Sequence, residues 1–456
     1  MSIHLSDHFS YRRMLRFSLP SVCMIVFTSI YGVVDGFFIA NFVGKTAFAA
    51  VNFILPFILI LGAVGFMFGT GGSAVVAHVM GKGDMKRAKR LFSLFILSAL
   101  VVSLVFAVSG LVFMEDIASL LGAEGDMLSY STRYGHIVVC AVPALVLQTA
   151  FQSFFVTAEK PKLGLLVTIT AGITNALLDA LLVWLIPLGV EGAALATAVS
   201  AVAGGGIPLI YFFRPNSSAL QLIRPVFDMK AVWKACTNGS SEFMTNVATS
   251  VAGMVYNLQL LRYAGENGVA AYGTMLYVAW IFASVFMGYG IGVAPIIAYH
   301  DGAKNLPEVR NVLRKSLIII GATSAGMVVI SQLFAVPLCR IFLGHESDVL
   351  QMAANGFRLY SFCFLFMGIA IFGSAFFTAL NNGLVSALIA VLRTLFFEII
   401  TVLLLPLLLG LTGIWLSPVL AELMAALLTA LFLVLCRKTR PDSSTKTAML
   451  HANRSA

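Results

Sequence analysis

The sequence predicts an all-α polytopic membrane protein with twelve transmembrane helices in two pseudo-symmetric six-helix bundles. Three observations predict it. Of 456 residues, 59% are hydrophobic and only 11% are charged, and the mean hydropathy is +0.95. An ordinary soluble domain is about 45–50% apolar and about 25% charged. The apolar residues form long, unalternating runs of the roughly 20-residue length that crosses a bilayer, unlike the short alternating strands of a β-barrel. Small residues recur in a ladder half a chain apart. This composition excludes a water-soluble enzyme, and also a disordered chain, which requires low hydrophobicity.

The spans are expected at 16–40, 50–79, 91–113, 130–156, 163–186, 190–213, 235–262, 270–299, 315–337, 357–380, 384–409 and 413–436. Prolines within them (Pro20, Pro56, Pro143, Pro208, Pro295, Pro406) are tolerable in a packed membrane bundle. The polar N-terminal stretch has no small-residue cleavage site, so the first span is expected to target the chain itself.

Orientation follows from Lys and Arg. With a cytoplasmic N-terminus, the termini and even-numbered loops carry 23 of the 29. They include Arg12, Arg13 and Arg16, the run from Lys82 to Arg90, Lys160 and Lys162, Lys304 and Arg310, and the tail to Arg454. The opposite side holds Lys45, Arg133, Arg262, Arg340 and Arg358, and Arg393 lies within a span. Both termini are therefore expected in the cytoplasm. The net charge of +9 is then loop charge rather than a nucleic-acid footprint. The six cysteines are scattered without a CxxC pair, which suggests neither a disulfide framework nor a zinc site.

A shift of 221 positions superposes Gly32 on Gly253, Gly44 on Gly265, Gly69 on Gly290, Gly71 on Gly292, Gly81 on Gly302, Gly189 on Gly410 and Gly192 on Gly413. Leu121, Gly122 and Asp126 match Leu343, Gly344 and Asp348 at a shift of 222. Six helices per repeat is an even number, so residues 1–222 and 223–456 should share one topology, related by an axis along the membrane normal. Two such bundles facing each other are a transporter architecture, with a midplane site between them and access alternating by rocking. Met and Phe are plentiful, and some are expected to line the cleft.

Ionisable groups inside spans are the functional shortlist, since each costs at least about 2.5–3.5 kcal/mol at a helix centre. Asp35 and Asp179 sit at one depth in the outer half of the first bundle, on spans 1 and 5. Asn175 precedes Asp179 by one turn on the same face. Thr197 reaches that level from span 6. Burial and a neighbouring carboxylate both favour a carboxyl's protonated form, which is what a proton carrier needs. The same oxygens suit a sodium ion. The bland reading is hydrogen bonding between helices.

The acid pair is not duplicated. Asp35 maps to Tyr256 and Asp179 to Ile400. The second half instead has Glu242, Arg393, Glu398 and Glu422 as a separate polar set. Arg393 and Glu398 are five apart, so an ion pair between helices is expected for Arg393. Glu242, after Asn238-Gly239-Ser240-Ser241, reads as a helix-start residue or an embedded acid. His78 and His300 read as structural histidines near cytoplasmic ends. No GxxxxGK[ST] loop is present to indicate ATP-driven pumping. An intramembrane aspartyl protease would want a Gly-rich motif around its acids, which Leu177-Leu178-Asp179-Ala180 is not.

Several motifs together resemble the multidrug and toxic compound extrusion (MATE) family in its DinF-like branch. They are Phe17-Ser18-Leu19-Pro20, Val34-Asp35-Gly36-Phe37-Phe38-Ile39, Gly81-Lys82-Gly83-Asp84, the run Asn175 to Asp179, Gly192 to Thr197, and Pro295 to Tyr299. The resemblance spans essentially the whole chain. It implies a non-enzymatic, proton- or sodium-coupled antiporter of the bacterial inner membrane that exports organic cations. It implies no cofactor, no partner beyond substrate and bilayer, and a monomeric protein. In that branch the residues matched by Asp35, Asn175, Asp179 and Thr197 form the coupling site, joined by Tyr134 and Gln152. Val156-Thr157 and His300-Asp301 depart from common family pairs. The alternative on the same fold is a flippase or exporter of a lipid-linked or other non-cationic metabolite. Anionic head groups would want a basic cleft, and only Arg393 is deep.

Overall fold

The computed structural model is all-helical and describes residues 3–343 and 347–439. Gly344 of the repeat ladder and the basic tail residues Arg440, Lys446 and Arg454 lie outside the described residues. Fifteen α-helical segments follow in chain order. The first half holds α1 (Tyr11–Phe38), α2 (Lys45–Phe66), α3 (Gly72–Gly81), α4 (Met85–Leu120), α5 (Gly125–Cys140), α6 (Val142–Thr157), α7 (Pro161–Asp179) and α8 (Gly189–Phe213). The second holds α9 (Met229–Gly302), α10 (Leu306–Leu343), α11 (Ser347–Tyr360), α12 (Phe364–Ala379), α13 (Gly383–Val391), α14 (Glu398–Leu409) and α15 (Leu411–Thr439).

Among the described residues, ten helices are long and apolar enough to cross a membrane, and eleven if the bent pair α5–α6 is one span. That pair turns by 57° where Pro143, at the start of α6, removes a backbone donor and ends the hydrogen-bond ladder of α5. The expected seventh span, 235–262, is helical as the first limb of α9 but does not qualify on hydropathy. Thr245, Asn246, Thr249, Ser250, Asn257 and Gln259 dilute it. Glu242 is not a helix-start residue: α9 begins three turns earlier, capped by Asp228, whose side chain accepts from the Ala231 amide. The run Asn238-Gly239-Ser240-Ser241 looks like a helix breaker, yet its small residues serve close packing instead.

The repeat is visible in backbone conformation. Gly44 (φ 126°) and Gly265 (φ 63°) turn the chain between the first two helices of each half. Gly189 (φ 64°) and Gly410 (φ 58°) do the same before the last helix. Gly83 (φ 85°) pairs with Lys304 (φ 57°), and Glu159 (φ 60°) with Asn381 (φ 58°). Phe113 (φ −107°, ψ 16°) and Phe334 (φ −112°, ψ 16°) kink α4 and α10 alike.

The halves meet at the end carrying the Lys- and Arg-rich loops. A methyl group on Gly81 would run into the Tyr299 carbonyl, and one on Gly302 into the His78 carbonyl. These are the same contact seen from its two repeat-related sides. Gly71 lies against the backbone of Ala235 and Gly239, while its counterpart Gly292 lies against Ser18. Small residues here let backbones touch where lipid supplies no hydrophobic drive. His78 adds an ion-pair contact, Nδ1 to Asp301 Oδ2 at 3.2 Å, and the His300 ring faces Asn305 and Phe9.

Residues before α1 lie across this same end. The Leu5 amide donates to Glu159 Oε1 (2.8 Å), and His4 Nδ1 reaches Glu159 Oε2 (2.6 Å). Glu159, with a smaller contribution from Asp7, raises the His4 pKa above its ordinary value, against nearby Lys160. A raised folded value means the link is fully present below the ordinary histidine pKa and is lost as pH rises through the folded one.

Two predictions follow from this packing. Gly302→Val should overpack the inter-half contact and cost about 1–3 kcal/mol, read as a lowered unfolding temperature, with Gly321→Val, in open space, as the unaffected control. An NMR titration should find His4 holding its proton above the free-histidine value, and Glu159→Gln should return it there.

Candidate functional site

Helix α1 carries Asp35 one turn before its regular geometry gives way to a wide π-type turn at Ile39–Val43. Helix α7 ends on Asp179, followed by a second wide turn at Ala180–Leu185. A change of helical repeat re-aims the side chains around it, and such turns cluster at functional sites. Gly172 on α7 lets α1 approach until the rings of Phe27 and Tyr31 lie over it. That approach puts Asp35 and Asp179 opposite each other.

The two carboxyl groups face each other within hydrogen-bonding reach. Asp179 is 0% exposed and Asp35 is half-buried. Two carboxylates have no proton to donate, and Asp35 Oδ1 and both Asp179 oxygens are without a hydrogen-bond partner. Asn175 (1% exposed) and Gln152 (3% exposed) leave their carbonyl oxygens Oδ1 and Oε1 orphaned as well. The site thus holds five buried acceptor oxygens that no donor reaches. Such a set takes up positive charge: a proton that turns the acid pair into a hydrogen bond, or a metal cation that the same oxygens would hold.

The other expected residues sit on the walls. Tyr134 on α5 (2% exposed) faces Thr197 on α8 and lies within electrostatic reach of both acids. The Gln152 amide donates to Thr28 Oγ1 at 3.4 Å, tying α6 to α1. The structure therefore brings Asp35, Asn175, Asp179, Tyr134 and Thr197 around one locus, with Gln152 beside Thr28. Sequence reasoning missed Tyr31, which faces Gln148 and lies within reach of Asp35, and it missed Thr28. Their signal was present: Thr28 and Tyr31 precede Asp35 by seven and four residues, on one face of α1.

In the second half Arg393, on a wide turn at Leu392–Phe397, grips Glu422 on α15 with both ends of its fork. Nε lies 2.8 and 2.9 Å from the two oxygens, and Nη2 lies 2.7 Å from Oε1. Glu422 is 1% exposed. This is the expected pair between helices. Glu398 stands beside it, within reach of stacked Tyr256 and Tyr272 (ring centroids 5.1 Å apart) and of Tyr360. Glu242 lies within electrostatic reach of Arg393 from α9. Three carboxyl groups therefore share one guanidinium. Among the described residues no cluster of His, Cys, Asp and Glu has the makings of a metal site.

Comparison with known proteins agrees with this architecture. The MatE family model matches the chain twice, over residues 20–181 and 243–404. A multidrug export protein MepA of Staphylococcus haemolyticus is 28% identical over 439 residues, covering 94% of each chain. The protein of that name from Staphylococcus saprophyticus is 27% identical over 432 residues, with the same coverage. Among solved structures, a MATE transporter in complex with MaL6 superposes with a TM-score of 0.89 at 18% identity, covering 93% of this chain and 96% of that one. An outward-facing multidrug resistance MATE family transporter of the MOP superfamily gives 0.88 at 19% identity, covering 93% and 95%. At these identities the structures speak for the shared fold. A model matched in both halves and relatives aligned nearly end to end place this multi-pass membrane protein among transporters rather than enzymes: the chain belongs to the MatE family.

Proposed function

We propose that this protein is a cation-coupled antiporter that exports organic cations by alternating access, with Asp35 and Asp179 as its coupling pair. The observation that carries the reading is the pair itself: two facing carboxyl groups between α1 and α7 in the membrane interior, three of whose oxygens are buried without a partner. The names of the relatives, multidrug export proteins, support the substrate class. The halves 1–222 and 223–456 are the rocking units. The basic loops face the cytoplasm of a bacterial cell, the protein resides in its plasma membrane, and a monomer suffices. Placement in the DinF-like branch rests on the set Asp35, Asn175, Asp179 and Thr197 and belongs to the same proposal.

In this mechanism the open outer face lets a proton reach the acid pair. The pair then forms a hydrogen bond, gives up one of its two charges and holds a cation less tightly. Span 1 repacks where Pro20 and the turn after Asp35 make it deformable. The drug leaves outward, and the proton is released inward after the halves rock. Exchange of one proton for one monovalent cation moves no net charge and runs on the proton gradient; each further proton would add about 2.3 kcal/mol per 100 mV. Sodium held by the same oxygens would run the same cycle.

Nothing in the site favours an anionic lipid head group. The one deep guanidinium, Arg393, is already committed to Glu422 by both ends of its fork. We assign that pair a structural role; Glu398 and Glu242 lie within electrostatic reach of the same guanidinium without bonding to it.

The coupling assignment is tested in proteoliposomes loaded with a pH-sensitive dye, given ethidium with and without sodium. Wild type should move protons on adding ethidium, and Asp35→Asn and Asp179→Asn should lose that movement by at least an order of magnitude while remaining folded. A mutant pumping against a gradient at the wild-type rate contradicts the assignment, and dependence on sodium instead of proton movement names the other ion. Glu422→Gln should behave differently. It strands Arg393 and costs about 3–5 kcal/mol, so the protein should unfold at a markedly lower temperature.

A further inference from the structure

The segment before α1 contains the same step twice, His4-Leu5 and His8-Phe9. Each step is clamped on a carboxylate by a backbone amide and a histidine ring. The first clamp is Glu159, at the end of α6 in the first half. The second is Glu308, at the start of α10 in the second half. Phe9 N donates to Glu308 Oε1 at 2.9 Å, and His8 Nδ1 meets Oε2 at 2.7 Å. The Phe9 carbonyl is caught again by Asn311 Nδ2 (3.1 Å) and Lys315 Nζ (2.7 Å). Leu5 and Phe9 are both 0% exposed, and the Phe9 ring lies edge-on to Phe17 of α1 and to His300 of the second half. Asp7, Arg13 (which donates to the His8 carbonyl) and His300 complete the charged and titratable surroundings.

This segment is not a by-product of the repeat. At the repeat shift Glu159 falls on Asn381 and Glu308 falls on Arg87, so neither carboxylate has a counterpart. The stretch equivalent to 4–9 is 225–230, where Phe227 is 77% exposed. One end of one bundle has thus acquired a tie that the duplicated architecture lacks. It crosses the seam where Gly81 touches Tyr299 and Gly292 touches Ser18, the contacts that must part if the basic end opens.

We propose that residues 3–9 are a strap that holds the basic end of the transporter closed and must release Glu308 for that end to open. The inference rests on the alternating-access reading but not on its coupling residues. Opening the seam separates Glu159 from Glu308 while the strap between their anchors is only a few residues long. One clamp must give. The Glu308 clamp is the one that crosses: α1 packs on both α7 and α9, but its chain continues into α2 of the first half, and its α9 contacts at Gly288 and Gly292 are among those that part when the seam opens.

The test is a distance measurement by electron spin resonance on the full-length protein in lipid nanodiscs. Spin labels replace exposed Lys162 and Ala303, one at the basic end of each half, with Cys23, Cys140, Cys236 and Cys436 changed to serine. No drug or ion gradient is needed, so failure of the proton-coupling assay and failure of the strap are separable. The unaltered strap should give a predominantly short distance. Glu308→Ala should raise the long-distance population roughly tenfold, the scale of one charge-assisted hydrogen bond. Glu308→Gln, which still accepts from the Phe9 amide, should fall between. His8→Ala, whose side chain is 70% exposed and which should fold, reads the same clamp if Glu308→Ala does not. Unchanged distances in the folded variants would overturn the proposal and make the strap mere packing.

Discussion

Two carboxyl groups that face each other inside a membrane cannot both stay charged without help. Like charges a few ångströms apart, with low dielectric around them, favour a shared proton or a bound cation. Asp35 and Asp179 are in that position, and three of their four oxygens are buried without a hydrogen-bond partner. The fold around them is built to hold that tension. Gly172 brings α1 and α7 together, and two wide helical turns aim the acids at each other. Asn175 and Gln152 add two more carbonyl oxygens without a partner. On our account, transport follows from that imbalance: a proton and a cation compete for the same oxygens.

The second half solves the same problem the opposite way. There Glu422 is neutralised in place by a bidentate arginine, and the repeat partner of Asp35 is Tyr256, buried against Tyr272. The duplicated backbone thus carries two different electrostatic designs, one open to titration and one largely closed by an ion pair. The symmetry is kept instead where the halves touch. The Gly81 and Gly302 contacts are reciprocal, so neither half can shift against the other there without breaking both.

Much of this was legible in the sequence, for definite reasons. Long apolar runs announce spans because the bilayer enforces their length. The glycine ladder announced the repeat because Gly44, Gly265, Gly189 and Gly410 occupy conformations that other residues resist. Lys304 and Asn381 adopt such conformations without being glycine and left no trace. Asp35 and Asp179 stood out because acids are expensive in lipid. What failed to show depended on geometry. The first limb of α9 is too polar to count as a span by hydropathy. Glu242 looked like a helix start because Gly239 serves packing, not termination. The wide turns have no residue signature, and the clamps of the N-terminal segment join residues 155 and 300 positions apart.

The central claim is that the acid pair holds either a proton or a cation, not both. Calorimetric binding of tetraphenylphosphonium to the purified protein, in buffers of differing ionisation enthalpy, measures protons released per cation bound. The account predicts close to one proton released per cation below neutral pH, and none from the double variant Asp35→Asn, Asp179→Asn. Binding of the cation by the wild-type protein with no proton released, in the absence of sodium, would contradict it.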